Sequence, residues 1–184
     1  MFDKNFIFHG KGAFTPKSCE VAINYFEKRV DLQTTGQVGG QIDFDRKKCT
    51  EIYLKRKEYT LFENTLQKYL KEYIRQYPFV NNLHSWDLSP TFKIQKYNPG
   101  EGYFFTHCEN MCKDDSDRIL AWMIYLNDVK DGGHTHFPYQ KKKYQPRSGD
   151  ILIWPAYFTH PHRGVPAPEE EKYIVTGWIS YTDI

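Results

Sequence analysis

Two hydrophobic rhythms divide this chain near Pro90. In the first half, apolar positions recur at helical spacing. Cys19, Ala22, Phe26 and Val30 follow Thr15-Pro16, a capping threonine with proline in the first turn, so an amphipathic helix is predicted to about Val30. A second stripe of Phe62, Leu66, Tyr69, Leu70 and Tyr73 predicts another helix over about Cys49 to Gln76. Tyr77-Pro78 should stop it, because a residue before proline is pushed out of the α region. Between the two stripes, Gln33 to Asp45 carries Gly36, Gly39 and Gly40 and reads as a loop or irregular strand pair.

After Pro90 the rhythm shortens. Strands are predicted at about Thr91 to Tyr97, Tyr103 to Glu109, Ile119 to Leu126, His134 to Phe137, Ile151 to Trp154 and Tyr173 to Tyr181. Turn residues separate them at Asn98-Pro99-Gly100, Asp131-Gly132-Gly133, Ser148-Gly149-Asp150 and Val165-Pro166. Short strands at this cadence fit a double-sheet jelly roll. The expected class is therefore α+β, a double-stranded β-helix (cupin-like) core with N-terminal helices packed on one sheet. At 184 residues the chain is expected to be a single domain, 1–90 a helical support region and 91–184 most of the jelly-roll core with the active groups.

Composition narrows the function classes without naming one. A hydrophobic share of 40% and a charged share of 26% are ordinary for a water-soluble globular chain. No apolar run is long enough to span a bilayer. A net charge of +2 does not call for a nucleic-acid partner, and the short runs Arg46-Lys47-Lys48 and Lys141-Lys142-Lys143 read as solvated turns. Fourteen Tyr and thirteen Phe suggest a core or cleft lined by rings. Cys19, Cys49, Cys108 and Cys112 have no CxxC spacing and no secretory leader ahead of them. They are expected to be reduced thiols of a cytoplasmic protein, with Cys108 and Cys112 packing rather than binding metal.

The chemistry centres on histidine. Among the seven histidines, His107 shares its predicted strand face with Glu109, because residues i and i+2 of a strand point the same way. Two imidazoles and a carboxylate on one side of an ion leave the other side open, the arrangement of facial Fe(II) sites in oxygenases. The second imidazole must come from another strand, and Thr159-His160-Pro161-His162 supplies His160 and His162 as candidates. Downstream, alternation places Lys172, Ile174, Thr176 and Trp178 on one face. A lysine buried there would need an anionic partner. In the strand before it, Leu120, Trp122, Ile124 and Leu126 should face the helices, which turns Tyr125 towards the interior with the metal.

These residues also fall into an ordered set of motifs: Tyr97-x5-Tyr103-x3-His107-x-Glu109, Arg118, Tyr125-Leu126-Asn127-Asp128, Gly132-Gly133-x-Thr135-x-Phe137, Pro146-x-x-Gly149-Asp150 and His162-x-Gly164-x-Pro166-x5-Lys172-Tyr173-x4-Trp178. Over about residues 91 to 181 the chain resembles the Fe(II)/2-oxoglutarate dioxygenases of the prolyl 4-hydroxylase type. The resemblance implies that His107, Glu109 and His162 hold iron, His162 being preferred to His160 because it stands just ahead of the x-Gly-x-Pro turn. It implies that Lys172 pairs with the distal carboxylate of 2-oxoglutarate, that Tyr125, Tyr97 and Thr176 hydrogen-bond that cofactor, and that Trp178 lies on its side of the barrel. Glu109 departs from the aspartate usual in the family, by one methylene at unchanged charge. A carboxylate there also argues against halogenation, which needs a small non-ligating residue.

The implied activity is hydroxylation of an unactivated C–H bond, with release of succinate and CO2. Dioxygen would be the co-substrate and ascorbate a candidate reductant. A prolyl residue of a peptide or protein is the favoured substrate, with a free amino acid or other small molecule as the alternative. Nucleic-acid demethylation is disfavoured because relatives with that activity tend to clamp 2-oxoglutarate with arginine. Two rival readings are a jelly-roll module that binds metal or ligand without turnover, and a zinc hydrolase; the latter leaves Lys172 and Tyr125 unexplained. His134 and His136 read as surface or edge residues, and Trp154, Tyr157 and Phe158 as candidates for the pocket rim.

Overall fold

The computed structural model describes residues 5–56 and 60–182. In chain order its regular elements are β1 (Phe8–Gly10), α1 (Pro16–Lys28), β2 (Thr34–Thr35), β3 (Thr50–Lys55), α2 (Thr60–Gln76), β4 (Trp86–Tyr97), β5 (Tyr103–His107), β6 (Arg118–Tyr125), β7 (Thr135–Phe137), β8 (Lys142–Tyr144), β9 (Ile151–Pro155), β10 (His162–Gly164) and β11 (Lys172–Tyr181). Among the described residues, no helix is long and apolar enough to cross a membrane.

Thr15 caps α1 by accepting a hydrogen bond from the Ser18 N–H at 3.1 Å, an interaction worth about 1 kcal/mol. The helix ends at Lys28, two residues short of the sequence expectation. Arg29 N–H returns to the carbonyls of Tyr25 and Phe26, and Val30 lies exposed in a 3-10 turn.

The helix predicted over Cys49 to Gln76 is split. Its first residues form β3, its last form α2, and residues 57–59 lie outside the described part of the chain. Thr50-Glu51-Ile52-Tyr53-Leu54 alternates with period two: Ile52 and Leu54 are buried against the helices while Glu51 faces the opposite way. Pairing with β4 from Thr50↔Lys96 to Lys55↔Thr91 holds the segment extended. β1, β8 and β10 lie outside the strands the sequence predicts, because three residues are too few to show a period, while β2 falls in the stretch expected to be a loop or irregular strand pair.

Antiparallel pairings build a seven-stranded sheet in the order β1-β9-β6-β11-β4-β3-β2 and a four-stranded sheet in the order β5-β10-β7-β8. This is the expected α+β jelly roll. On the outer face of the large sheet, Cys19, Ala22 and Phe26 of α1 and Phe62, Leu66, Leu70 and Tyr73 of α2 pack against Ile52, Ile94, Trp122, Ile124, Ile153 and Val175. Each fully buried large apolar side chain contributes about 1.5–3 kcal/mol. A second core of Tyr97, Ala121, Met123, Tyr125, Phe137, Leu152, Trp154 and Ile174 fills the space between the sheets. The large sheet thus has two buried faces, one apolar towards the helices and one mixed towards the smaller sheet.

Gly149 ties the N-terminal segment to this frame. It donates to the Tyr125 carbonyl at 2.8 Å and accepts from the Phe14 N–H at 3.0 Å. Its φ is +84°, and an added Cβ would stand 2.1 Å from the Phe14 carbonyl oxygen. Gly149→Ala is therefore expected to lower stability by more than about 1 kcal/mol, read as a fall in the urea midpoint at unchanged slope.

Candidate metal centre

The β5–β10 pairing sets His162 directly opposite His107. Both side chains are buried on the inner face of the small sheet, their ring centroids 4.5 Å apart. His107 Nδ1 lies 3.0 Å from the Phe105 carbonyl oxygen, and His162 Nδ1 lies 3.1 Å from that of His160. A carbonyl oxygen only accepts, so each ring carries its hydrogen on Nδ1 and presents a bare Nε2. Such a partner on the far nitrogen is what fixes the tautomer and orientation of a metal-binding imidazole. Tyr103 stacks on the other face of His107 at 3.7 Å, and Trp154 meets His162 edge-on at 5.0 Å.

Glu109 reaches the same point by a different route from the one expected. β5 ends at His107, so strand alternation does not place the carboxylate. Instead the Glu109 N–H donates to the Ala156 carbonyl at 2.9 Å, and the Glu109 carbonyl accepts from Arg118 Nη1 at 3.1 Å. Trp178 Nε1–H donates to Glu109 Oε2 at 2.8 Å, while the Arg118 guanidinium covers the Trp178 ring at 3.9 Å. That leaves Oε1 directed at His162 Nε2, 3.2 Å away, and at His107 Nε2, 3.5 Å away.

These three groups have ligand atoms within 4.8 Å of one another. Neighbouring ligand atoms each ~2.1 Å from a shared ion lie about 3 Å apart, so the observed spacing suits one divalent cation. Protonation favours the same outcome. Burial, then the neighbouring His162, makes His107 harder to protonate than usual despite Glu109. Burial alone would raise the Glu109 carboxyl. Before a cation binds, however, any proton taken up by His107 or His162 sits on the Nε2 facing it, and those bonds and charges outweigh burial and hold the group well below the carboxylate range. A cation has only to displace that proton. Neutral imidazoles with an ionised carboxylate are the forms that bind metal.

A cation without a counter-charge lies in the same interior. Lys172 opens β11 opposite Tyr97 and is 3% exposed. Its Nζ donates to the Gly133 carbonyl at 3.1 Å and sits 4.5 Å over the Tyr97 ring; among the described residues, no carboxylate is paired with it. Burial pushes its pKa down to about 8. A buried ammonium in this state is stabilised by an incoming carboxylate, which fits a dicarboxylate keto acid.

The structure places the other named residues unequally. Tyr125 is buried between the sheets, its hydroxyl hydrogen-bonded to Thr135 Oγ1 at 2.7 Å and to the Tyr144 carbonyl at 3.0 Å. Tyr97 is buried beside it, with its hydroxyl 3.0 Å from Gln95 Oε1. Thr176 is half-buried, and its hydroxyl donates to the Trp122 carbonyl at 2.8 Å. Both His160 nitrogens are engaged, Nε2 with the Asn5 carbonyl at 2.8 Å and Nδ1 with Thr159 Oγ1 at 2.9 Å, which leaves none for a metal. His136 pairs with Arg163 on the outer side of the small sheet, with His134 nearby. Trp154 is a buried wall of the centre rather than a rim, Tyr157 lines an apolar cavity of about 660 Å³ together with Tyr73 and Tyr77 of the helix side, and Phe158 is exposed.

Sequence reasoning missed the Trp178 bond to Glu109, the Arg118 bracket and the Tyr103 stack. Trp178 shares the Lys172 face, and that alternation was the available signal. Lys47, expected in a solvated turn, is instead buried and paired with Glu51 at 2.8 Å, a partner that sequence reasoning did not single out.

Residues 92–180 match the sequence profile of the 2OG-Fe(II) oxygenase superfamily. A provisionally named prolyl 4-hydroxylase of Acanthamoeba polyphaga mimivirus is 29% identical over 111 residues, which cover 51% of this chain and 46% of that protein. The chain spans less than half the length of the curated relatives it matches first. In fold it is similar to the viral collagen prolyl hydroxylase of Paramecium Bursaria Chlorella virus-1, solved with 2OG, at a TM-score of 0.74 and 20% identity over 96% of this chain and 97% of that one. A prolyl hydroxylase of Trichoplax adhaerens, solved with a hypoxia inducible factor peptide fragment, aligns at a TM-score of 0.73 and 18% identity over 96% of this chain and 84% of that one.

The bond from Trp178 to Glu109 makes the centre testable away from its donor atoms. Trp178→Phe should weaken Fe(II) binding roughly 10–100-fold, as loss of an outer partner does elsewhere, with an unchanged circular dichroism spectrum. Anaerobic calorimetric titration measures it; wild-type affinity would show that the indole leaves Glu109 indifferent.

Proposed function

The chain belongs to the 2OG-Fe(II) oxygenase superfamily and is of the prolyl 4-hydroxylase type, and on that premise we propose that it hydroxylates a prolyl residue of a peptide or protein. The observation that carries this reading is the union, in one buried space, of the His107, Glu109 and His162 donor set with the uncompensated Lys172 ammonium.

In this reading His107, Glu109 and His162 hold Fe(II), and Lys172 takes the distal carboxylate of 2-oxoglutarate. The iron and keto acid together supply the oxidising power that lets dioxygen functionalise a C–H bond, while 2-oxoglutarate is converted to succinate and CO2. The chain's own contribution is placement. Main-chain carbonyls at Phe105 and His160 aim the two imidazoles, and Trp178 holds Oε2 of Glu109 so that Oε1 faces them. Tyr125 and Tyr97 border the keto-acid end, with Thr176 further along β11. The apolar packing of Phe137, Trp154 and Ile174 excludes water from this space, which strengthens each charge contact within it.

A peptide substrate is supported by the relatives, one of which was solved with a peptide fragment. The four free thiols suit work in a reducing compartment such as the cytoplasm. The described residues carry both ends of the candidate site on one jelly roll, in keeping with a single catalytic domain.

Succinate release, measured with proline-rich peptides, free amino acids and methylated oligonucleotides in parallel, tests the substrate class. A proline-rich peptide should stimulate release, and Glu109→Ala should abolish it. Stimulation by free amino acids alone would overturn the peptide reading. The cofactor end carries its own pH signature. Lys172 is charged below about 8 and neutral above it in the ligand-free protein. The dissociation constant of 2-oxoglutarate should therefore be flat at neutral pH and rise as pH climbs past about 8; Lys172→Met should bind weakly throughout and lose this dependence. Both profiles are read from the weak visible charge-transfer band of the anaerobic Fe(II) keto-acid complex.

A further inference from the structure

β3 brings a second buried charge cluster into the space between the sheets. Glu51 is 0% exposed and Lys47 is 2% exposed, their Oε2 and Nζ 2.8 Å apart. Lys93 Nζ approaches the other oxygen at 3.5 Å, and Gln95 Nε2 donates to Oε2 at 2.8 Å. Burial works against an ionised Glu51, but Lys93, Lys47 and these hydrogen bonds outweigh it and keep the carboxylate charged. Nothing in the candidate reaction requires this cluster. Buried ionic networks seldom stabilise a fold more than apolar packing of equal volume. Among the described residues, Glu51 Oε1 has only the Lys93 charge at 3.5 Å, whereas Oε2 is held by two hydrogen bonds, and a connected network of this kind fixes the geometry of what its bonded atom touches.

What it touches is the keto-acid end. Strand register places Glu51, Gln95, Ile174 and Tyr125 in one row across four strands, with Tyr97 and Lys172 paired two residues further along. The Glu51 carboxylate only accepts, so the Gln95 NH2 must face it, and the Gln95 carbonyl oxygen must face Tyr97. Tyr97 then donates its single hydroxyl hydrogen to Gln95 at 3.0 Å. With that hydrogen committed, the phenol has none to offer a ligand carboxylate. Its ring instead carries the Lys172 ammonium at 4.5 Å.

We propose that Glu51 and Gln95 are positioning residues for 2-oxoglutarate: they lock Tyr97 through its hydroxyl so that its ring face holds Lys172 aimed at the distal carboxylate. Tyr97 thus acts as a platform for the lysine rather than as a hydrogen-bond donor to the cofactor. The inference rests on the keto-acid site proposed above.

The test is anaerobic titration of 2-oxoglutarate into the Fe(II)-loaded protein, comparing wild type with Gln95→Leu, Tyr97→Phe and the double variant. Gln95→Leu cuts the relay without disturbing the charge balance of Glu51, Lys47 and Lys93; Glu51→Gln, which leaves the buried Lys47 and the half-buried Lys93 without this counter-ion, serves as a supporting variant where it folds. Each single variant should raise the dissociation constant about tenfold, and the double variant no further. Fe(II) affinity should stay within about twofold of wild type in each variant, a bound that general loosening of the interior would break. Wild-type affinity in Gln95→Leu overturns the proposal, as does a loss confined to Tyr97→Phe, which would make the phenol a direct donor. Additive losses in the double variant overturn it too. Failure of the wild type itself to bind 2-oxoglutarate would sink the keto-acid site and this inference together, which separates the two cases.

Discussion

The pleat of β11 is the constraint on which both halves of this molecule depend. Side chains alternate along the strand, so Tyr173, Val175 and Ile179 join the helix-backed core while Lys172, Ile174, Thr176 and Trp178 enter the space between the sheets. A slip of one residue would exchange the two sets and put an ammonium among the helix contacts. β11 pairs along its length with β4 on one side and β6 on the other, which makes such a slip prohibitively costly. The same strand carries Lys172 at its start and Trp178, the partner of Glu109, further on. The Lys172 ammonium and the indole that holds Glu109 are therefore set apart by a fixed number of pleats.

Much of this was legible in the sequence, and the exceptions share a cause. Long strands announced themselves, because Ile119 to Leu126 and Tyr173 to Tyr181 are long enough for alternation to show. The inward turn of Lys172 and Tyr125 followed from that alternation. Three-residue strands carry no such signal, so β10 was visible only through His162 itself. β3 was hidden by coincidence: Ile52 and Leu54 precede a true helical stripe, and an apolar run of that size is compatible with either element. Glu109 was correctly grouped with His107 but for an incomplete reason. Its position depends on a main-chain bond to Ala156, a residue 47 positions away, and no local pattern reports a contact of that kind.

Buried charge is concentrated where the chemistry would be. The helix-side core is built of apolar and aromatic residues. Between the sheets, by contrast, lie Lys47, Glu51, Gln95, His107, His162 and Lys172. Desolvating such groups costs several kcal/mol each unless they are paired, so the inner space forgoes stability that the outer core supplies. The two functions of the large sheet are in this way divided between its faces.

The imidazoles and the carboxylate differ in who steers them. His107 and His162 take their orientation from main-chain oxygens of Phe105 and His160, atoms that every residue type carries. Exchanging the side chains at 105 or 160 leaves those acceptors in place. Glu109 takes its orientation from an indole, which most substitutions at position 178 would remove. Substitution elsewhere in the chain can therefore reach the carboxylate arm of the candidate centre far more easily than its histidine arms.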